Sequence, residues 1–268
     1  MIFLAGVPRR RLQRGGEAIK QFNNLITINM KLSIIIPTKN EEEFLPKLLE
    51  SIKKQTFTDY EIIVSDNKSK DKTKEIARKF GCKIVKGGLP GKARNKGAKV
   101  ARGNVLLFLD SDTELRTRDF LESNLKEFER RKLDMAAPFI YIRGKELDKI
   151  FFDFWNKLTK LLQYSLTPVA GGWCIFIKRE LHNGIKGFDE RIILGEDSDY
   201  AQRAVMHKVF KVKFRTLKSA RIQVSTRRLE KDGHLKVAVQ GIGTGLHWFL
   251  LGKDRKNKAG YKFDIYGK

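Results

Sequence analysis

The sequence predicts an α/β fold on a mostly parallel, doubly wound sheet. Short apolar runs alternate four times with helical stretches between Leu32 and Leu109. Three of those runs end on polar or acidic residues: Thr38-Lys39-Asn40-Glu41, Asp66-Asn67 and Asp110-Ser111-Asp112. With 268 residues, 41% of them hydrophobic and 32% charged, the chain can bury a sizeable core. Alternation of this kind implies βαβ units, whose ligands gather at the carboxyl ends of the strands.

The apolar run Leu32 to Ile36 stops at Pro37, the pattern of a buried parallel strand delivering a loop. A helix is expected over Glu42 to Lys54, with Phe44, Leu45, Leu48, Leu49 and Ile52 on one stripe. Tyr60 to Val64 reads as the second strand, followed by a helix through Ile76, Ala77 and Phe80 to Gly81, and Lys83 to Val85 as a short third strand. Gly87-Gly88-Leu89-Pro90-Gly91 is a loop before a helix containing Ala93, Ala98 and Val100, and Asn104 to Leu109 is a further buried strand.

Beyond Asp119 the alternation weakens. Phe120 to Arg131 reads as a helix, Met135 to Ile142 as a strand and Leu147 to Tyr164 as an aromatic-rich helix. Ala170-Gly171-Gly172-Trp173 leads into a strand over Cys174 to Ile177, Asp197 to His207 is helical, and Val209 to Phe214 and Arg221 to Val224 read as late strands. There is no internal repeat and no low-complexity tract.

Charge is the unusual feature: 55 Lys+Arg against 31 Asp+Glu give +24, which favours anionic partners. From Met206 to Lys268 there are 16 basic residues against 4 acidic ones, half of the total excess, so the C-terminal quarter is a candidate docking region or a solvated basic face. Cys82 and Cys174 have no zinc or redox spacing and read as core fillers in a reducing cytoplasm. No apolar run is long enough to span a bilayer. The stretch before Asn29 places its apolar residues ahead of Arg9, Arg10, Arg11 and Arg14, the reverse of an export signal. Met30 directly precedes the first strand and is a plausible natural start. The expected division is an extension over 1–29, one α/β domain over 30–228 and a basic extension over 229–268.

Two carboxylates one residue apart at a strand end, Asp110 and Asp112, can share Mg²⁺ or Mn²⁺ with a diphosphate; the same letters also suit a turn or the start of a helix at Asp112-Thr113-Glu114. Asp66 can accept hydrogen bonds from a base or ribose, or can turn and cap the next helix with Asn67 and Ser69. Lys92 and Arg94 follow a glycine-rich loop without Walker or Gly-x-Gly-x-x-Gly spacing, which argues against an ATPase or a nicotinamide dehydrogenase. Gly195-Glu196-Asp197-Ser198-Asp199 precedes a helix, where a carboxylate suits a general base or merely a helix N-terminus.

Taken in order, Ser33-Ile34-Ile35-Ile36-Pro37-Thr38-Lys39-Asn40-Glu41, Val64-Ser65-Asp66-Asn67-Lys68-Ser69-Lys70-Asp71-Lys72-Thr73, Arg94-Asn95-Lys96-Gly97-Ala98, Leu109-Asp110-Ser111-Asp112, Gly187-Phe188-Asp189-Glu190 and Gly195-Glu196-Asp197-Ser198-Asp199-Tyr200 resemble the family 2 nucleotide-sugar glycosyltransferases of GT-A fold. The resemblance runs from about Leu32 to Arg228. It implies that Pro37, Thr38, Asn40 and Glu41 line the nucleotide pocket, with Glu41 and Asp66 on base or ribose. It further implies that Arg94 supports the pyrophosphate, that Asp110 and Ser111 lie near the ribose, and that Asp112 ligates Mn²⁺ or Mg²⁺. Asp197 would be the catalytic base beside Glu196, while Gly171, Gly172 and Trp173 shape the acceptor side. Ser65, Asn67 and Lys68 depart from the commoner Asp-Asp-Gly-Ser pattern, and where such chains often carry a late metal-holding histidine this one has Val224-Ser225-Thr226-Arg227-Arg228, which offers Arg227 or Arg228 to the diphosphate.

The implied reaction is an inverting transfer from a UDP- or GDP-linked sugar to a hydroxyl of a glycan or lipid-linked acceptor. A metal-dependent nucleotidyltransferase is the alternative enzyme. A basic RNA-binding module ranks last, no nucleic-acid partner being expected without a recognised motif. Between Leu147 and Tyr164 the apolar stripe with Lys149, Lys157 and Lys160 suits either packing, in the core or between copies, or peripheral contact with the inner face of a membrane.

Overall fold

Both faces of the first apolar run are covered, and it forms β1 (Leu32–Thr38) at the centre of a parallel arm. The molecule is described by a computed structural model covering residues 31–166, 168, 170–193, 195–227, 230 and 233. After β1 come α1 (Leu45–Lys53), β2 (Tyr60–Asp66), α2 (Thr73–Lys79), β3 (Lys83–Lys86), α3 (Pro90–Val100) and β4 (Val105–Leu109). Then follow β5 (Thr113–Leu115), α4 (Phe120–Arg130), β6 (Met135–Ile142), α5 (Glu146–Leu162), β7 (Cys174–Lys178), α6 (Arg179–Gly184), α7 (Glu196–Val205) and β8 (Phe214–Val224).

The eight strands lie in the order β3-β2-β1-β4-β7-β6-β8-β5. The α/β fold read from the alternation is therefore present, and the pairs β3–β2, β2–β1, β1–β4 and β6–β8 are parallel. Antiparallel pairs join β4 to β7, β7 to β6 and β8 to β5. The β4–β7 reversal matters most for the site: an antiparallel strand begins at the edge where its parallel neighbours end. The residues just before Cys174 are thereby carried to the tip of β4.

Alternate residues of β1 and β4 point to opposite faces, as a strand requires. Ile34, Ile36, Leu107 and Leu109 join one core layer with α1 and α4, while Ile35, Leu106 and Phe108 join the other with α3, α6 and α7. Gly97 lets α3 approach the sheet, since a Cβ there would overlap the Ile35 Cγ2 methyl and stand 2.8 Å from the Ser65 hydroxyl.

Three expectations need correction. Residues 42–44 form a turn, and α1 begins at Leu45 with Pro46 in its first turn, where a missing N–H costs nothing. The late strands Val209 to Phe214 and Arg221 to Val224 are one strand, β8; Val209 lies exposed outside it, and the exposed Lys218-Ser219 break the alternation that sequence reading follows. Asp112-Thr113-Glu114 opens no helix, because Thr113–Leu115 pairs with the end of β8. The extensions before residue 31 and beyond 233, with most of the basic C-terminal quarter, lie outside the described residues.

His182 packs among Phe108, Phe188 and Tyr200, with Nδ1 2.6 Å from the Tyr200 hydroxyl. Burial, with help from the Arg203 charge, pushes its pKa from 6.5 down to about 4. A depressed pKa gives stability that is present above the unfolded value and lost as pH falls through the folded one. Between pH 6.5 and 4 the stability difference between the wild type and His182→Gln should therefore shrink by up to roughly 3 kcal/mol. Urea unfolding of both proteins across that range checks this, and a difference independent of pH would refute it.

Candidate active site

At the tip of β1 the chain leaves the sheet through Thr38, and neighbouring β2 ends at Asp66, the two being register partners. The Thr38 hydroxyl lies 3.5 Å from an Asp66 carboxylate oxygen, and the other oxygen accepts the Ser69 N–H at 3.1 Å. Asp66 thus closes its own turn, while the helix that follows begins at Thr73 with no side-chain cap. Pro37 lies past the last pair of β1 with β4, where a missing N–H is tolerated in a central strand.

The next three residues are tied to the loop after β2. Asn40 adopts a left-handed φ of 54°, which asparagine tolerates better than most residues. Its N–H donates to the Ser69 hydroxyl at 2.9 Å, and its side-chain oxygen accepts the Lys70 N–H at 2.9 Å. The Glu41 N–H donates to the Thr73 hydroxyl at 2.8 Å, which sinks the Glu41 side chain into the protein. Arg227, just past β8, meets that carboxylate with both terminal nitrogens at 3.0 Å. Its Nε lies 2.8 Å from Asp112, so one guanidinium bridges the loop after β1 and the loop after β4.

Asp110 and Asp112 flank the buried Ser111 in a turn closed by the Thr113 hydroxyl, which donates to the Asp110 carbonyl at 2.8 Å. Burial pushes the Asp112 carboxyl up to about 6; the Arg227 charge opposes this, and the nearby Asp110 and Glu41 charges add to it. Among the described residues no group of three or more His, Cys, Asp or Glu side chains stands close enough to hold a metal alone.

The β4–β7 reversal brings the Gly171-Gly172-Trp173 loop to this same tip, where the Asp110 N–H donates to the Trp173 carbonyl at 3.2 Å. The Gly172 N–H donates to Asp197 Oδ2 at 2.6 Å, and the Ser198 N–H donates to Asp197 Oδ1 at 2.7 Å. A Cβ on Gly172 would stand 3.1 Å from both Asp197 and Arg94, and one on Gly171 would overlap the Trp173 ring. Helix α7 starts at Glu196 after Gly195 in the left-handed region at φ 78°, with no side-chain bond from that cap residue, and the Asp197 carboxylate is shared between the first-turn Ser198 N–H and the Gly172 N–H.

Arg94 joins the halves. Its side chain is 3% exposed; NH2 donates to Asp110 at 2.7 Å and NH1 to Glu196 at 2.7 Å, and the Gly172 carbonyl lies 3.4 Å away. Its Nε is buried without a partner among the described residues. Burial works against the cation, but the Asp110 and Glu196 charges outweigh it and hold its pKa above the ordinary range. Burial likewise raises the Glu196 and Asp197 carboxyls, with Arg94 opposing in both cases.

The sequence-predicted residues are therefore held in three sets of contacts at the strand tips: Asp66 with Thr38, Glu41 with Asp112 through Arg227, and Asp110 with Glu196 through Arg94, whose neighbour Gly172 holds Asp197. Sequence reading left Ser69 and Thr73 without a role in holding the first loop, and offered Arg227 to a diphosphate without foreseeing its carboxylate partners. The signal for Arg227 was a basic pair directly after the last apolar run.

Comparison with known proteins shows the family and the fold. The family model described as "Glycosyl transferase family 2" matches residues 33–185. The glycosyltransferase AglE of Haloferax volcanii is 30% identical over 186 residues, covering 65% of this chain and 60% of its own length. The poly(ribitol-phosphate) β-N-acetylglucosaminyltransferase TarS of Staphylococcus aureus is 41% identical over 93 residues, 31% of this chain but 16% of its own length. Among solved structures, the mannosyltransferase PcManGT of Pyrobaculum calidifontis, in complex with GDP-Man and Mn²⁺, superposes with a TM-score of 0.63 at 19% identity, covering 88% of this chain and 73% of that one. TarS residues 1–349 superpose with a TM-score of 0.58 at 23% identity over 79% of this chain and 65% of theirs. The shared fold is the GT-A α/β fold.

Proposed function

Because this chain belongs to glycosyl transferase family 2, we propose that it transfers a sugar from a nucleoside-diphosphate sugar to a hydroxyl of a glycan or lipid-linked acceptor, inverting the anomeric centre. The observation that carries the reading is the network in which Arg94 joins the strand-tip Asp110 to Glu196, next to Asp197. In this reading Pro37, Thr38, Asn40, Glu41 and Asp66 line the base and ribose pocket, Asp110 and Ser111 border the ribose, and Gly171, Gly172 and Trp173 bound the acceptor side. The domain of residues 30–228 carries the whole site.

Asp197 takes the proton of the acceptor hydroxyl as its oxygen attacks the anomeric carbon and the nucleoside diphosphate departs on the opposite side. The N–H groups of Gly172 and Ser198 fix the carboxylate's orientation, and burial makes it more basic than a surface aspartate. Arg94 holds Asp110, and through Glu196 the start of α7, so that donor and base keep their spacing.

Asp112, with Asp110 nearby, would hold a hard divalent ion of the kind that binds through one or two carboxylates. Such an ion supplies counter-charge to the leaving diphosphate. Arg227, bonded to Asp112 and Glu41, is placed to add positive charge on the same side.

The test is a thermal-shift panel of nucleoside diphosphates and nucleotide sugars, with and without Mn²⁺, since a ligand that binds the folded form raises its melting temperature. At a ligand concentration of about 100 times Kd the stabilisation should be about 2.7 kcal/mol. A melting temperature unmoved by every member of the panel, with triphosphates alone active, would favour the nucleotidyltransferase.

A further inference from the structure

Among the described residues, helix α5 is held to the sheet by one side only. Asn156 grips β6, its side-chain amide donating to the Ile140 carbonyl and accepting the Ile140 N–H, both at 2.9 Å. Phe152 and Trp155 pack edge-on against Trp173, with ring centroids 6.1 and 6.0 Å apart. The opposite side carries Leu147, Ile150, Phe154 and Leu161, each 61–73% exposed, and the apolar surface continues past the helix through Tyr164 and Leu166, 71% and 67% exposed.

Positions 147, 150, 154 and 161 fall on one stripe at 3.6 residues per turn. A contiguous exposed stripe of large apolar side chains is uncommon on a molecule surrounded only by water. Lys145, Lys157 and Lys160 accompany it; Lys149 is paired with Glu146 at 3.0 Å, and with Asp148 and Asp153 the helix itself is balanced in charge, so the positive excess comes from the chain as a whole, which carries +24. Lysine stems lie along apolar surface while their ammonium groups reach outward to headgroups. Apolar side chains flanked by lysine on one helix are the chemistry of a surface that settles into the headgroup layer of a bilayer.

We propose that this side of α5 docks on an anionic phospholipid surface, with Phe154, Ile150 and Leu161 entering the apolar boundary and the lysines meeting the phosphates. The consequence for the reaction rests on the functional reading above. The inner side of α5 touches Trp173, next to Gly172 and so to Asp197. Docking would hold the acceptor side at the membrane surface, within reach of an acceptor hydroxyl carried on a lipid.

Flotation of the full chain with phosphatidylcholine vesicles, with and without phosphatidylglycerol, tests this. The wild type should float with the anionic vesicles at low salt. Ile150→Glu/Phe154→Glu/Leu161→Glu should lower the floating fraction at least about tenfold, and Lys157→Glu/Lys160→Glu should weaken binding and its salt dependence. All three substituted side chains of the first variant are exposed, and its melting shift with nucleoside diphosphate and Mn²⁺ should match that of the wild type, which shows that it is folded. A wild type that does not float, or a triple variant that floats equally well, overturns the proposal. Sedimentation showing a wild-type dimer that the triple variant dissolves, without flotation of either, assigns the stripe to a second copy of the chain and overturns it too. Failure to float with an intact nucleotide shift sinks docking alone, whereas loss of that shift in the wild type sinks the glycosyltransferase reading.

Discussion

Asp197→Asn is expected to lower kcat by about a thousandfold, the usual range for loss of a positioned general base, while the melting shift given by nucleoside diphosphate and Mn²⁺ stays within error of the wild type. Asparagine keeps one oxygen for the Gly172 N–H at 2.6 Å and gives up only the bond to the Ser198 N–H, so the loop stays anchored and the nucleotide side is untouched. What disappears is the proton acceptor. In the wild type the acid limb of kcat/KM should lie above the ordinary carboxylate range, because burial raises the Asp197 carboxyl despite the opposing Arg94 charge. Activity is lost as pH falls through that value, since the base must be ionised to act. An asparagine variant with wild-type turnover would remove Asp197 from the mechanism.

Arg94→Met is expected to destabilise the fold by about 3–5 kcal/mol, the cost of leaving buried charge without its partner. The methionine keeps the side-chain bulk but leaves Asp110, Glu196 and Asp197 facing one another without the guanidinium that now bonds two of them at 2.7 Å. Urea unfolding measures this. Arg94→Met/Glu196→Gln should recover part of the loss, because one of the stranded charges is gone, and the double-mutant cycle gives the coupling. Lysine should not substitute well: a point charge on a flexible stem cannot reach Asp110 and Glu196 as a planar fork does. A methionine variant as stable as the wild type would show that the three acids tolerate one another without Arg94.

The parallel arm was legible in the letters because its two central strands, β1 and β4, are apolar nearly throughout and end abruptly. Leu32 to Ile36 and Val105 to Leu109 carry that signal in adjacent residues, and the acids at their tips follow from where strands stop. What was hidden depends on partners distant in the chain. β5 exists because Thr113 to Leu115 meet residues 222–224, and three residues have no periodicity of their own. β8 read as two strands because Lys218 and Ser219 sit exposed in its middle. The junction of Gly172 with Asp197 spans 25 positions and depends on β7 running against β4, a direction no local pattern encodes. In α5 apolar residues ring much of the helix, so spacing alone did not say which of Phe154 and Trp155 would turn inward.

The reversal between β4 and β7 has one further consequence. Every group assigned to the nucleotide before Asp112 comes from chain preceding the reversal, and every group bounding the acceptor, with the base, comes from chain following it. The two half-sites meet at the β4–β7 pair and are joined by Arg94 and main-chain hydrogen bonds, while Arg227, from chain after the reversal, reaches back to Glu41 and Asp112. Exchange of residues 146–173 against those of a relative would then be a graft on one side of a seam, changing which alcohol is decorated while the activated sugar is still recognised.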